Sequence, residues 1–219
     1  MKEKETVSEL TLRRLPKYRN YLIKLCKSGQ EFTSASEISR EFDVHHTQVR
    51  KDLAITGVRG IPKVGHVVEE LIVAIEEYLN WNNISDAFLI GAGKLGKAIL
   101  GYHGFEKAGI KIVAAFDTNP EIIGTEIEGI PVFPMDKLNN LAQRLHIHIG
   151  IITVTQKSAQ QAADSAINSG IIALWNFTPV NLQVPEDIIV ENVDIYPSLA
   201  VLSKKIAYRK SERTKILKK

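Results

Sequence analysis

Asp86-Ala-Phe-Leu-Ile-Gly91-Ala-Gly93-Lys-Leu-Gly96-Lys-Ala-Ile-Leu100 is the stretch that decides how this sequence is read. Ala87 to Ile90 have the length and apolar character of a buried strand, and Leu95 to Tyr102 continue with helical spacing. Between them stand three glycines in the order Gly-x-Gly-x-x-Gly. Gly91 permits a tight turn, Gly93 lets backbone approach a pyrophosphate, and Gly96 allows the helix to lie close on the strand. The helix start offers free N–H groups and the positive end of its dipole to phosphates. A second apolar run, Lys111 to Phe116, ends in an acid, Asp117, roughly 20 residues beyond the glycines. An acid there can bind both ribose hydroxyls and repels a 2′-phosphate, favouring NAD(H) over NADP(H). A bare strand–helix turn accounts for the glycines alone, and Asp-Thr-Asn-Pro accounts for Asp117 as a turn residue. Strand, loop, helix, strand and acid in this order favour nucleotide binding.

Outward from this core, β- and α-type patterns alternate. Met135 to Leu145 reads as a helix and Ile147 to Val154 as a strand. Ser158-x-x-Gln161 reads as a capping box opening a helix that stops at Asn168-Ser169-Gly170. Ile171 to Phe177 and Ile188 to Val193 are further strands. Such alternation specifies an α/β fold of Rossmann type, a parallel sheet with helices on both faces. Strand ends Thr153, Val154 and Thr155, and Asn176, Phe177 and Thr178, belong in the crevice with Gly91, Ala92, Gly93, Lys94, Leu95, Gly96 and Asp117.

Upstream, Leu15, Tyr18, Leu22 and Leu25 share one helical face, with Pro16 in the first turn and Ser28-Gly29 as the stop. Ser34-x-x-Glu37 is a capping box for a short second helix carrying Ile38 and Phe42. A turn at Asp43-Val44 leads into a third helix, His45 to Ile55. Its Val49 and Leu53 face inward, while His46, Gln48, Arg50 and Lys51 face out. Short helix, tight turn and polar-basic helix form the helix-turn-helix pattern. Gly57 to Gly65 places three more glycines around Arg59 and Lys63, as in a small hairpin or wing beside phosphates. A three-helix bundle with a solvated basic face is the bland alternative. Val67 to Leu79 is an amphipathic helix, and Asn80-Trp81-Asn82-Asn83 marks a domain boundary.

Charge follows the same division. Residues 1–66 hold 13 Lys and Arg against 8 Asp and Glu, residues 67–202 hold 7 against 16, and residues 203–219 hold 8 against 1. A basic head and an acidic middle imply different partners. The single cysteine, Cys26, excludes an intrachain disulfide and suits a reducing cytoplasm. No apolar run is long enough to span a membrane. No catalytic acid or base stands beside the crevice: His103 follows the cofactor helix, where a solvated or packed role is expected. His146-x-His148 lacks a third metal ligand, so no metal site is expected. Ser198 to Lys210 is a terminal helix whose Leu199, Leu202 and Ile206 need a covering surface, followed by a solvated, mobile basic extension.

Arg14-Leu-Pro16-x-Tyr18, Gln48-Val-Arg50-Lys51-Asp52-Leu53, the glycine loop, Gly101-Tyr102-x-Gly-Phe105, Ala159-Gln160, Asn176-Phe177-x-Pro179 and Val193-Asp194 occur in order. Over about residues 12–205 the chain resembles the Rex family of redox-sensing transcriptional repressors. The resemblance implies a winged-helix domain over 1–80, an NAD(H)-binding Rossmann domain over 81–196, and a dimerisation helix with basic tail over 197–219. It implies a homodimer, with that helix exchanged between subunits, which holds palindromic operator DNA when NAD⁺ prevails and releases it when NADH binds. DNA contacts are expected at Arg14, Lys17, His46, Thr47, Gln48, Arg50, Lys51, Arg59 and Lys63. Tyr102 is expected to pair with the other subunit's equivalent of Asp194. The wing departs from the family's usual pattern at Thr56, Arg59, Ile61, Pro62, Lys63 and His66, and Thr155 stands where members often carry proline. Two other readings are the same architecture sensing a CoA-type nucleotide, and a small NAD-dependent oxidoreductase. The absent catalytic group disfavours the second.

Overall fold

In the computed structural model, which describes residues 7–216, the chain forms two compact units. One comprises the chain up to Ile84 together with Gly104–Ile110; the other comprises Ser85–His103 and the chain from Lys111 onward. Gly104–Ile110 joins the first unit because Gly109, at φ +76°, lies tight against the backbone of Trp81 and Asn83.

The first unit is helical. Helix α1 spans Glu9–Lys27, six residues longer at its start than expected. Ser8 caps it by accepting the Thr11 N–H at 3.3 Å. The buried stripe Thr11, Leu15, Tyr18 and Leu22 keeps one helical face over this whole length. Pro16 therefore sits in the helix interior, not the first turn, and leaves the Leu12 carbonyl without its usual donor. Leu12 is on the exposed side, where water can serve that carbonyl.

A two-residue strand β1, Phe32–Thr33, precedes α2, Ala35–Phe42. Only half of the expected capping box is made. Ser34 accepts the Glu37 N–H at 3.1 Å, but the Glu37 carboxylate takes the Gln30 amide and the Thr33 hydroxyl, both at 2.9 Å. These two bonds, the Gln30 one foremost, hold the Glu37 carboxyl below its ordinary pKa. Asp43, left-handed at φ +52°, turns the chain into α3, His46–Ala54. A tight hairpin then closes where Ile61 and Gly65 exchange backbone hydrogen bonds. Strand β2, His66–Val67, pairs antiparallel with β1 and leads into α4, Val68–Tyr78. Leu15, Tyr18, Leu22, Ile38, Val49, Leu53, Leu71 and Ile75 form this unit's core, each at most 1% exposed.

Asp52, also only 1% exposed, lies among these apolar side chains. Its carboxylate accepts from Arg14 Nε at 2.6 Å and Nη2 at 2.8 Å, from Tyr18 Oη at 3.0 Å, Thr11 Oγ1 at 3.0 Å and Gln48 Nε2 at 2.8 Å. Burial pushes the Asp52 pKa up, but bonds from Arg14, Gln48, Tyr18 and Thr11 outweigh it and leave a net fall. One carboxylate thereby clamps α3 onto α1.

The second unit is α/β. Its elements are β3 (Ser85–Ile90), α5 (Lys94–Leu100), β4 (Ile110–Asp117), β5 (Glu126–Ile127), β6 (Ile130–Pro134), α6 (Leu138–Leu145), β7 (Ile149–Ile152), α7 (Ala159–Asn168), β8 (Ala173–Asn176), β9 (Ile189–Asn192) and α8 (Tyr196–Ile216). The seven strands lie in the order β5-β6-β4-β3-β7-β8-β9. Pairs β3–β7, β4–β6, β7–β8 and β8–β9 are parallel, and only β5 runs antiparallel, on β6. The order reverses between β3 and β7, so the carboxyl ends of these strands open a crevice. Phe88, Ile90, Phe116, Ile152, Ala163 and Leu174 form the centre of the core.

The capping box at Ser158 is not made. Gln156–Ser158 forms a 3₁₀ turn before α7, and the Ser158 side chain caps nothing. Helix α8 runs to Ile216 rather than ending at Lys210; the side chains after Lys210, and residues 217–219 of the basic extension, lie outside the described residues.

Asp52→Ala should lower the unfolding free energy by roughly 3 kcal/mol, because it strands the Arg14 guanidinium and the Tyr18 hydroxyl without their shared acceptor. Urea denaturation checks this, and a change under about 0.5 kcal/mol would contradict the clamp.

Candidate functional sites

Gly91 has φ +98°, and a Cβ there would sit 2.7 Å from Val154 Cγ1 and 2.9 Å from the Thr153 backbone. No other residue type fits this turn. Gly96 presses its α-carbon against the Gly91 carbonyl oxygen, so a methyl group there would be driven into that oxygen. Gly93 differs: a Cβ on it would meet no protein atom within 4 Å. Its smallness is unused by the protein's own packing, as expected if a ligand passes over that backbone. Helix α5 has only seven residues and no side-chain cap, so the loop's N–H groups, more than a long dipole, are what it can offer an anion.

Around this turn the strand ends act as braces. Asp117 Oδ2 accepts the Ala92 N–H at 2.7 Å, while Oδ1 takes the N–H groups of Thr118 at 2.7 Å and Asn119 at 2.8 Å. The acid is thus tied to the glycine loop itself. Thr153 is buried and donates to the Gly91 carbonyl at 2.6 Å. A cleft of about 170 Å³ brings Gly91, Asp117, Met135, Val154, Gln161 and Ala162 together. A second, of about 470 Å³, joins Leu95 to Phe177, Thr178, Val193, Asp194 and Ile195.

Three expected site residues are placed differently. Thr153 spends its hydroxyl on the loop, and Thr155, exposed, lines neither cleft. Asn176 is fully buried and serves the chain after β8: its Oδ1 takes the Thr178 N–H at 3.0 Å and hydroxyl at 2.8 Å. Its Nδ2 donates to the Val180 carbonyl and Asn192 Oδ1, both at 2.8 Å. Lys94 and Leu95 are exposed at the start of α5. Tyr102 is 60% exposed just beyond α5. Asp194 accepts the Tyr196 N–H at 2.8 Å and so starts α8. Leu199, Leu202 and Ile206 on α8 are each about half exposed.

In the first unit α3 presents His46, Thr47, Arg50 and Lys51 to solvent, and Lys17, Arg59 and Lys63 are also exposed. His45 caps α3 through Nδ1, which accepts the Thr47 N–H at 3.3 Å. Lys63, at φ +64°, stands at the hairpin tip. Arg50 and Lys63 share a recess of about 550 Å³ with Ser34, Ser36 and His66. Burial pushes the His66 imidazole below its ordinary pKa, and its Nδ1 has no partner. Arg14 and Gln48 are turned inward onto Asp52, their hydrogen bonds already committed. That acid was not singled out in the sequence as a site residue. The signal lay in a charge on the inward face of α3, between the apolar Val49 and Leu53. Among the described residues no group of three or more His, Cys, Asp or Glu side chains is placed to hold a metal ion. No helix among them is long and apolar enough to cross a membrane.

A helix-turn-helix unit with a cationic outer face, joined to an α/β unit with a dinucleotide-type loop, defines the class of ligand-responsive DNA-binding regulators. Comparison with known proteins narrows the class. Residues 6–54 match the family described as putative DNA-binding protein N-terminus, and residues 82–180 the family described as CoA binding domain. The redox-sensing transcriptional repressor Rex of Bacteroides fragilis is 40% identical over 211 residues, covering 96% of each chain. Rex of Treponema denticola is 44% identical over 192 residues, 88% of this chain and 91% of that one. RSP, a Rex-family repressor, has a crystal structure that aligns at a TM-score of 0.86 and 36% identity, over 99% of this chain and all of RSP. RSP has also been crystallised with β-NAD⁺ and operator DNA, and that structure aligns at a TM-score of 0.86 and 36% identity, covering 96% of this chain and 97% of that one. The chain belongs to the Rex family of redox-sensing transcriptional repressors.

Gly96→Ala should lower the melting temperature by several degrees, about 2 kcal/mol, because α5 must move off the Gly91 carbonyl. An unchanged thermal melt would show that the contact is not tight.

Proposed function

We propose that this protein is a redox-sensing transcriptional repressor that binds operator DNA as a dimer and releases it when NADH replaces NAD⁺. The observation that carries this reading is Asp117, whose carboxylate is fixed on the glycine loop through Ala92. An acid held there selects free ribose hydroxyls over a 2′-phosphate. The loop N–H groups between Gly91 and Gly96 would hold the pyrophosphate, and Val154 and Met135 would flank the adenosine end. Phe177, Thr178 and Ile195 would surround the nicotinamide end in the cleft beside Leu95. A bound nicotinamide ring supplies the signal, positively charged when oxidised and neutral when reduced. The apolar lining of that cleft favours the neutral ring.

Exposed Arg50, Lys51, His46, Thr47, Lys17, Arg59 and Lys63 would meet the DNA. Arg14 and Gln48 would act from behind, holding α3 at its angle through Asp52. The exposed stripe Leu199, Leu202 and Ile206 supports burial against a second subunit, with α8 exchanged and Tyr102 pairing with the other subunit's Asp194. Residues 1–80, 81–196 and 197–219 would then serve DNA, nucleotide and dimer respectively. An operator partner puts the protein in the cytoplasm, and the role is regulatory, not enzymatic. The likeness of residues 82–180 to the CoA binding domain family supports a second reading, in which a CoA-type nucleotide is the signal.

Gel shifts on a palindromic operator separate the two. NADH added at fixed NAD⁺ should release the DNA at micromolar-scale concentration, whereas release by CoA alone would favour the second reading. In the same assay Arg50→Ala should weaken DNA binding about tenfold with NADH affinity intact. Asp117→Ala should reduce discrimination against NADPH about tenfold. Fluorescence titration reads that ratio, and unchanged selectivity would remove Asp117 from the ribose site.

A further inference from the structure

Strands β8 and β9 are parallel neighbours, yet the chain joining them, residues 177–188, contains no helix. Such a segment has no hydrogen-bond ladder of its own and must be held by side chains. Leu182 and Val184 pack against the core. Between them Gln183 is held through its backbone: Gln160 Nε2 on α7 donates to the Gln183 carbonyl at 2.8 Å, and the Gln183 N–H donates to Gln160 Oε1 at 2.9 Å. One side-chain amide thus pairs with the segment as a neighbouring strand would. A bond from Gln160 Nε2 to Asp164 Oδ1 at 2.8 Å, one helical turn on, fixes the amide's orientation. Asn176 pins the near end of the segment at Thr178 and Val180. The stretch between these two pins, Phe177 to Asn181, is one wall of the cleft beside Leu95. None of it lines the cleft beside Asp117.

We propose that Gln160 is a positioning residue that sets this wall, and so tunes recognition of the nicotinamide end of the dinucleotide while leaving the adenosine end alone. Gln160 lines neither cleft and acts through Gln183. The proposal rests on the assignment of the two clefts given above.

The test titrates the full-length protein, Gln160→Ala and Gln160→Glu by calorimetry with NADH and with ADP-ribose, which lacks only the nicotinamide. In Gln160→Ala the Kd for NADH should rise about tenfold, and that for ADP-ribose should stay within about twofold. Gln160→Glu keeps the acceptor for the Gln183 N–H and loses the donor, so its NADH affinity should fall between the other two. It also guards against a folding defect in the alanine variant, as do melting curves of all three proteins. Equal losses for both ligands would mean a merely structural role and would overturn the proposal, as would no loss for either. Wild-type protein that binds neither ligand would overturn the nucleotide assignment itself, and the proposal with it.

Discussion

The contact of Gly96 with the Gly91 carbonyl governs the nucleotide unit. It brings the start of α5 down onto the end of β3, and this close approach exposes the loop backbone around Gly93. Thr153 grips the same Gly91 carbonyl from β7, and Asp117 grips the Ala92 N–H from β4. The three central strands therefore converge on two adjacent peptide groups. What a ligand meets is a surface already braced by protein atoms, so little ordering cost remains to be met on binding.

The first unit solves a similar problem with a different group. Its outward surface depends on the angle at which α3 leaves the bundle, and that angle is held by one buried carboxylate bonded to α1 on three sides. Arg19 secures the same bundle elsewhere, through Glu76 at 2.8 Å and by lying over the Trp81 ring at 5.5 Å. In both units the residues that touch no ligand decide where the exposed ones point. Thr153, Asn176 and Gln160 belong with Asp52 in this respect.

Much of this was legible in the sequence, because the features involved are local. The glycine spacing, the alternation of strand and helix, and the ends of α1 and α7 at Gly29 and Gly170 each depend on a few adjacent residues. The errors came where a side chain had a choice of partners. Glu37 satisfies Thr33 and Gln30 instead of closing its capping box, because β1 brings that hydroxyl within reach. Arg14 reads as a DNA contact until the fold sets it beside Asp52, 38 residues away. Asn176 and Thr153 sit at strand ends as expected, but which way each polar group turns depends on backbone from distant segments. The start of α1 was missed because Pro16 suggests a first turn, while Ser8 supplies a better cap further upstream.

The glycine loop has one more consequence, which concerns ionic strength. Its donors are peptide N–H groups set in a segment where acids outnumber bases by 16 to 7 between residues 67 and 202. The head offers mobile Lys and Arg side chains to a polyanion. Dissolved ions displace the second kind of contact readily and the first hardly at all. A rise in cellular salt would therefore loosen the grip on DNA while leaving nucleotide occupancy nearly as it was, so the chain can keep reading its ligand under conditions in which it no longer holds its target.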